Sequence, residues 1–134
     1  MRDFWMPFAP TMLASAAPEY IKNWDQFSGR VSESMYYMIT AVDSTSLAQK
    51  HLAAAIHQKD KTLRPQLVDD VSHPWMFATL TEYKNLTGMS GMMNTSLNIH
   101  GYPLVGTLEQ GLFTLENSGL KHILFDNTLL SKKS

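Results

Sequence analysis

A chain of 134 residues is one domain by length, large enough to bury a core of its own without a metal or a crosslink. It has no cysteine, which excludes disulfides, thiolate nucleophiles and thiolate metal sites and fits a reducing compartment. Eleven basic residues against twelve acidic ones leave no long-range field to steer nucleic acid or an anionic membrane.

Only 17% of the residues are charged, against about 25% in an average soluble domain. Nine methionines add adaptable apolar surface. The low charge points to surfaces that bury against another chain, whereas the methionines are read first as gap-fillers in the core and second as a binding face. No apolar run approaches the roughly 18 residues that a membrane-spanning helix needs.

Residues 1–17 read as an apolar arm: Phe4, Trp5, Met6, Phe8, Met12 and Leu13, interrupted by Pro7 and Pro10. Ala14, Ser15 and Ala16 resemble a leader-cleavage site. Asp3 and the two prolines break the apolar stretch a leader requires, so no cleaved leader is expected.

Pro18 suits the first turn of a helix. Beyond it, Tyr20, Trp24, Phe27, Val31, Met35, Met38 and Val42 recur at spacings of three and four, which predicts one long helix with a single apolar stripe. Gly29 inside that helix carries a cost of about 1 kcal/mol against Ala. Tyr36 and Tyr37 beside Met35 and Met38 make the helix bulky on several faces.

Ser46 and Gln49 fit a capping box, so a second helix is expected over Leu47–Gln58. His57 to Arg64 is a polar, basic stretch ended by Pro65. Ser72, His73 and Pro74 then open a third helix over Trp75–Asn85, closed by Gly88.

Gly88 to Met93 reads as a loop. Alternation over Thr95–His100 signals a short strand that lacks an obvious partner. Leu112–Leu115 or Leu120–Phe125 could supply that partner. The rival reading places a helix over Pro103–Asn117, capped by Thr107 and Gln110, though Gly106 and Gly111 weaken it. Leu120–Leu130 is a further helix candidate.

The expected class is therefore mainly α. We expect a small bundle of three to five helices, with room for a short β-hairpin in the C-terminal third and α+β as the alternative class. Residues 1–17 form the arm and residues 18–134 a single helical domain.

Chemistry is thinly signposted. His51 and His57 are six apart, which is not the spacing of a helical metal pair. Asp69, Asp70 and His73 are the best acid/base cluster, and their ordinary role is a solvated turn and a helix cap. His100 is a further candidate base. Gly88-Met89-Ser90-Gly91 lacks the spacing of a nucleophile elbow, and no phosphate-cradling glycine loop is present. Lys59, Lys61 and Arg64, with Lys132 and Lys133 at the tail, are too few for a strong nucleic-acid signal. Asn85 and Asn94 begin sequons that matter only in a secretory compartment.

Aromatic and Met side chains are common at interface cores, so Phe4, Trp5, Phe8, Met12, Trp24, Phe27, Tyr36 and Tyr37 form the candidate interface. The expected function is a non-enzymatic structural or interaction subunit, not an enzyme, that self-associates or packs into a larger protein complex. A helical small-molecule or lipid-binding domain is the first alternative, and a small enzyme built on Asp69, Asp70 and His73 the second. No cofactor, no metal and no catalytic residue is assigned, and the setting is intracellular, in the cytoplasm. No motif is specific enough to name a family.

Overall fold

A computed structural model describes residues 8–27 and 29–133. They group into two compact units, one running as far as Thr95 and the other beginning at Ser96. Among the described residues there are five α-helices and seven strands in three small sheets. The class is α+β, which corrects the expectation of a mainly α bundle.

The larger unit is organised by strand β1, Ala9–Leu13, every residue of which is buried. It runs parallel to β4, Gln66–Val68, and antiparallel to β5, Gly91–Asn94, in the order β4-β1-β5. The stretch expected as an apolar arm thus supplies the central strand of a sheet. Pro10 is tolerated there for a specific reason. Leu13 donates its N–H to the Ser90 carbonyl, so odd-numbered β1 residues direct their N–H toward β5. Pro10 falls on the opposite side, where pairing with β4 begins only at Thr11.

The stripe from Tyr20 to Val42 is not one helix. Helix α1, Ala17–Tyr20, ends at Ile21, and Trp24–Gln26 is a 3-10 turn. Helix α2, Arg30–Ser34, is followed by a second such turn at Met35–Tyr37. Asn23, Gly29 and Met38 have φ of 55°, 56° and 58°, and no right-handed helix can run through them. Tyr20, Met35 and Val42 are buried all the same, each delivered to one core from a different short element.

Val42–Asp43 forms β2, paired antiparallel with β3, Thr62–Leu63. Between them lies α3, Ser46–His51, with a 3-10 turn at Ala53–Ala55. This is shorter than the helix expected over Leu47–Gln58. Its cap is Thr45 rather than Ser46: the Thr45 hydroxyl accepts the Ala48 N–H at 3.2 Å. Gln49 turns back instead to the Ser44 carbonyl and hydroxyl.

Helix α4, Pro74–Thr87, has proline in its first turn and ends on Gly88 at φ 75°. It buries only Leu80 completely. The stretch expected as a loop after it becomes β5 instead. Gly91 permits that pairing, because a β-carbon there would lie 2.8 Å from the Met12 β-carbon and 3.0 Å from the Thr11 carbonyl oxygen.

Across the boundary between the units, Thr95–His100 is not a strand. Asn98 bends it by donating to the Ile99 and Tyr102 carbonyls. Helix α5, Leu108–Glu116, is capped by Thr107, whose hydroxyl accepts the Gln110 N–H at 3.3 Å. Strands β6, His122–Phe125, and β7, Thr128–Ser131, form an antiparallel hairpin turned at Asp126, φ 47°. Gly111 gives α5 its close approach to the hairpin: a β-carbon there would meet the end of the Phe125 ring at 2.4 Å.

Candidate functional site

The larger unit carries a cavity of about 190 Å³ lined by Phe8, Ala41, Ala55, His57, Asp60, Thr62, Leu63 and Arg64. Its polar wall is the turn that leads into β3. His57 N–H donates to the Thr62 carbonyl and Lys61 N–H to the His57 carbonyl, which closes the turn. Oδ1 of Asp60 accepts from the Thr62 N–H at 3.0 Å, from the Thr62 hydroxyl at 2.8 Å and from His57 Nδ1 at 2.8 Å. The Thr62 N–H is the largest cause that holds the Asp60 carboxyl at about 2, well below its usual value. An ionised carboxylate only accepts, so His57 Nδ1 carries the proton. With Nδ1 so engaged, Nε2 is the ring nitrogen left for a ligand, the arrangement of an oriented acid/base histidine.

Arg64 lines the same cavity. Its side chain makes no ion pair or hydrogen bond among the described residues; the single ion pair found there joins His57 and Asp60. Pro65 follows and restricts Arg64 to extended backbone.

Gln66, two residues further on, opens β4 and faces Thr11 across the sheet. Its Oε1 accepts from the Thr11 hydroxyl at 2.7 Å and from Asn94 Nδ2 at 2.8 Å. Thr11, Gln66 and Asn94 thus form a polar cluster spanning all three strands on one face.

The residues singled out in the sequence fall elsewhere in part. Phe4 and Trp5 lie outside the described residues. Met12 is 0% exposed, spent inside the larger unit. Phe8, Trp24, Phe27 and Tyr36 are partly buried against that core, and Tyr37 is 70% exposed. Asp69, Asp70 and His73 form no group that could hold a metal ion, and no such group of three occurs among the described residues. Oδ1 of Asp69 accepts the N–H groups of Val71 and Ser72, and Ser72 is the main cause that holds its carboxyl at about 2. The fold does bring Asp69 to the Tyr36 hydroxyl, a pairing with no sequence signal. His57, Asp60 and Arg64 were legible only as a polar stretch; Thr11 and Gln66 carried no signal, and Asn94 only that of a sequon.

No helix among the described residues is long and apolar enough to cross a membrane. The family described as carbamoyltransferase C-terminus matches residues 1–132. An uncharacterized protein of Methanocaldococcus jannaschii is 28% identical over 131 residues, covering 98% of this chain and 24% of the relative. An uncharacterized protein of Synechocystis is 26% identical over 144 residues, covering 98% and 23%. Nodulation protein NolO of Bradyrhizobium diazoefficiens is 24% identical over 132 residues, covering 98% and 23%. The chain spans about a quarter of the length of these relatives. The family match overturns the expectation of a non-enzymatic structural subunit, because the family is described as the C-terminus of an enzyme and so is enzyme-related. Over nearly all of its length, the chain belongs to the carbamoyltransferase C-terminus family.

Proposed function

We propose that this chain works as the C-terminal part of a carbamoyl-transfer enzyme, and that the cavity at Arg64 holds the anionic end of the carbamoyl donor. The observation that carries the second half is the guanidinium of Arg64, without a carboxylate partner among the described residues, on the wall of a concave site. Guanidinium matches phosphate or carboxylate through paired N–H donors. Asp60 lines the same cavity, and among the described residues its ion pair is with His57 and not with Arg64.

His57 adds a proton-handling group to the same wall. Neutral, it offers Nε2 to a ligand proton; protonated, it adds a second positive charge beside Arg64. An intracellular setting belongs to the same proposal and is supported by a composition without cysteine.

The test is a titration of the full chain with carbamoyl phosphate and with inorganic phosphate, followed by calorimetry. Arg64→Ala is expected to weaken both by about tenfold or more, the effect of losing one charge-assisted contact. An Arg64→Ala chain that binds carbamoyl phosphate as tightly as the unmodified one overturns the assignment of the cavity.

A further inference from the structure

The unit that begins at Ser96 holds a cleft of about 90 Å³, walled by Ile99, Tyr102, Pro103, Val105 and Phe113. Hydrogen bonds fix the backbone of that wall. Asn98 Nδ2 donates to the Ile99 and Tyr102 carbonyls, and Asn98 Oδ1 accepts the Ser96 hydroxyl at 2.6 Å. The Tyr102 N–H donates to the Ile99 carbonyl at 2.9 Å, and the Val105 N–H to the Leu97 carbonyl at 3.0 Å. The cleft is thus formed before any ligand arrives. Its aromatic wall stays wet: Tyr102 is 58% exposed and Phe113 44%, with ring centroids 5.8 Å apart and planes tilted by 42°.

Gln110 supplies a polar group to the same cleft. Its Oε1 accepts the Gly106 N–H at 2.8 Å. Turning the amide over would set its NH₂ against that N–H, so Nε2 is fixed as the donor end. Among the described residues, Gln110 Nε2 has no partner. The Thr114 hydroxyl, also on the wall, is spent on the Gln110 carbonyl. Apart from the Tyr102 phenol, no ionisable side chain lines the cleft. The site therefore offers apolar surface, two rings and one oriented donor, without charge.

Size narrows what fits. A cavity of about 150 Å³ closes around a benzene, so this cleft takes a smaller group, such as a pyrrolidine ring or a branched alkyl chain. The uncharged wall selects a neutral ligand. Proline meets the remaining requirement, because its rigid ring is joined directly to the carbonyl of the preceding residue. In an extended polyproline segment that carbonyl has no internal partner. Such a segment also has little entropy to lose on docking against aromatic side chains. We propose that the cleft binds a neutral, extended, proline-containing segment of a partner protein. The proline ring packs against Tyr102 and Phe113, and the preceding carbonyl accepts from Gln110 Nε2. This assignment is independent of the reading of Arg64.

The experiment titrates the full chain, followed by NMR, with capped peptides that carry alanine flanks and proline, leucine or alanine at the centre. The proline peptide is expected to bind in about the millimolar range and to shift the Gln110 side-chain amide and the Tyr102 and Phe113 ring signals. The alanine peptide should bind about tenfold more weakly, having lost the apolar ring. Gln110→Glu keeps an acceptor for the Gly106 N–H but removes the donor, and should weaken the proline peptide by about tenfold. Tyr102→Ala should weaken it too, and breaks no side-chain hydrogen bond among the described residues. The shifts in the unmodified chain need no variant to fold. A leucine peptide that binds as tightly as the proline one overturns the choice of proline. An alanine peptide that does so overturns the cleft as the seat of the ring. No shift at Gln110, Tyr102 and Phe113 with any peptide overturns the whole proposal.

Discussion

His57 Nδ1 stands 2.8 Å from Asp60 Oδ1, on the same oxygen that takes the Thr62 N–H and hydroxyl. These donors favour the ionised carboxyl, led by the Thr62 N–H, and hold it at about 2 against an ordinary 3.8. A depressed carboxyl stabilises the fold above its ordinary value, and that contribution disappears as pH falls through about 2. The thermal midpoint of the chain is expected to drop as acid is added from pH 3.8 toward 2. Asp60→Asn should flatten part of that drop, with Asp69 accounting for another part. Circular-dichroism melts across this range check it. A variant whose acid profile superimposes on that of the parent removes Asp60 from the response.

Tyr36 and Asp69 make a second pair, read through the phenol. Burial is the first cause that pushes Tyr36 above 10.0; the hydrogen bond to Asp69 and its charge push the same way. Asp69→Asn removes the charge but leaves the burial. The Tyr36 titration is expected to move down without returning to 10.0. Phenolate absorbance, taken as a difference against Tyr36→Phe, isolates this group from the other tyrosines. No movement on replacing Asp69 would separate the two side chains.

Tyr20 is 1% exposed, and its hydroxyl accepts the Ser90 N–H at 3.0 Å and meets His51 Nδ1 at 2.9 Å. Tyr20→Phe keeps the ring and orphans a buried backbone N–H. The expected cost is about 1 to 3 kcal/mol of stability. Hydrogen exchange of the Ser90 amide should quicken as well, which a general loosening of the core would not confine to that position. Unchanged protection at Ser90 would show that water replaces the hydroxyl.

Helix α4 was readable because its ends are written locally, by Pro74 and Gly88; α5 was legible only as the rival to a strand, through its Thr107 cap, because Gly106 and Gly111 spoke against it. The Tyr20–Val42 stripe misled because short elements can deliver residues to one core at spacings that mimic a helix. What breaks the helix is the positive-φ backbone at Asn23, Gly29 and Met38; Asn and Gly tolerate it, and at Met38 no residue type announces it. The sheet was hidden for a different reason. Its central strand contains Pro10, and its cluster joins Thr11 to Gln66 and Gln66 to Asn94, separations of 55 and 28 residues. Periodicity reports on neighbours in the chain and is silent about such pairs. The cavity turn was visible as charges, but its use of Asp60 as a shared acceptor depends on hydrogen bonds that composition does not encode.

The packing of that sheet gives a last prediction. Gly91 pairs with Met12, and a β-carbon added to it would press on the Met12 β-carbon at 2.8 Å and on the Thr11 carbonyl oxygen at 3.0 Å. Neither contact is the mobile end of a side chain, so relief requires the backbone of β1 to shift. Two effects oppose each other in Gly91→Ala. Restricting the unfolded chain favours the variant by about 0.4 to 1 kcal/mol. Overpacking against a fixed neighbour disfavours it by about 1 to 3 kcal/mol. The second is the larger, so Gly91→Ala should lower the thermal midpoint. It should also disturb Thr11, whose carbonyl is one of the atoms struck, and through it the Gln66 and Asn94 amides. A variant that melts at or above the parent temperature would mean that β1 yields without cost.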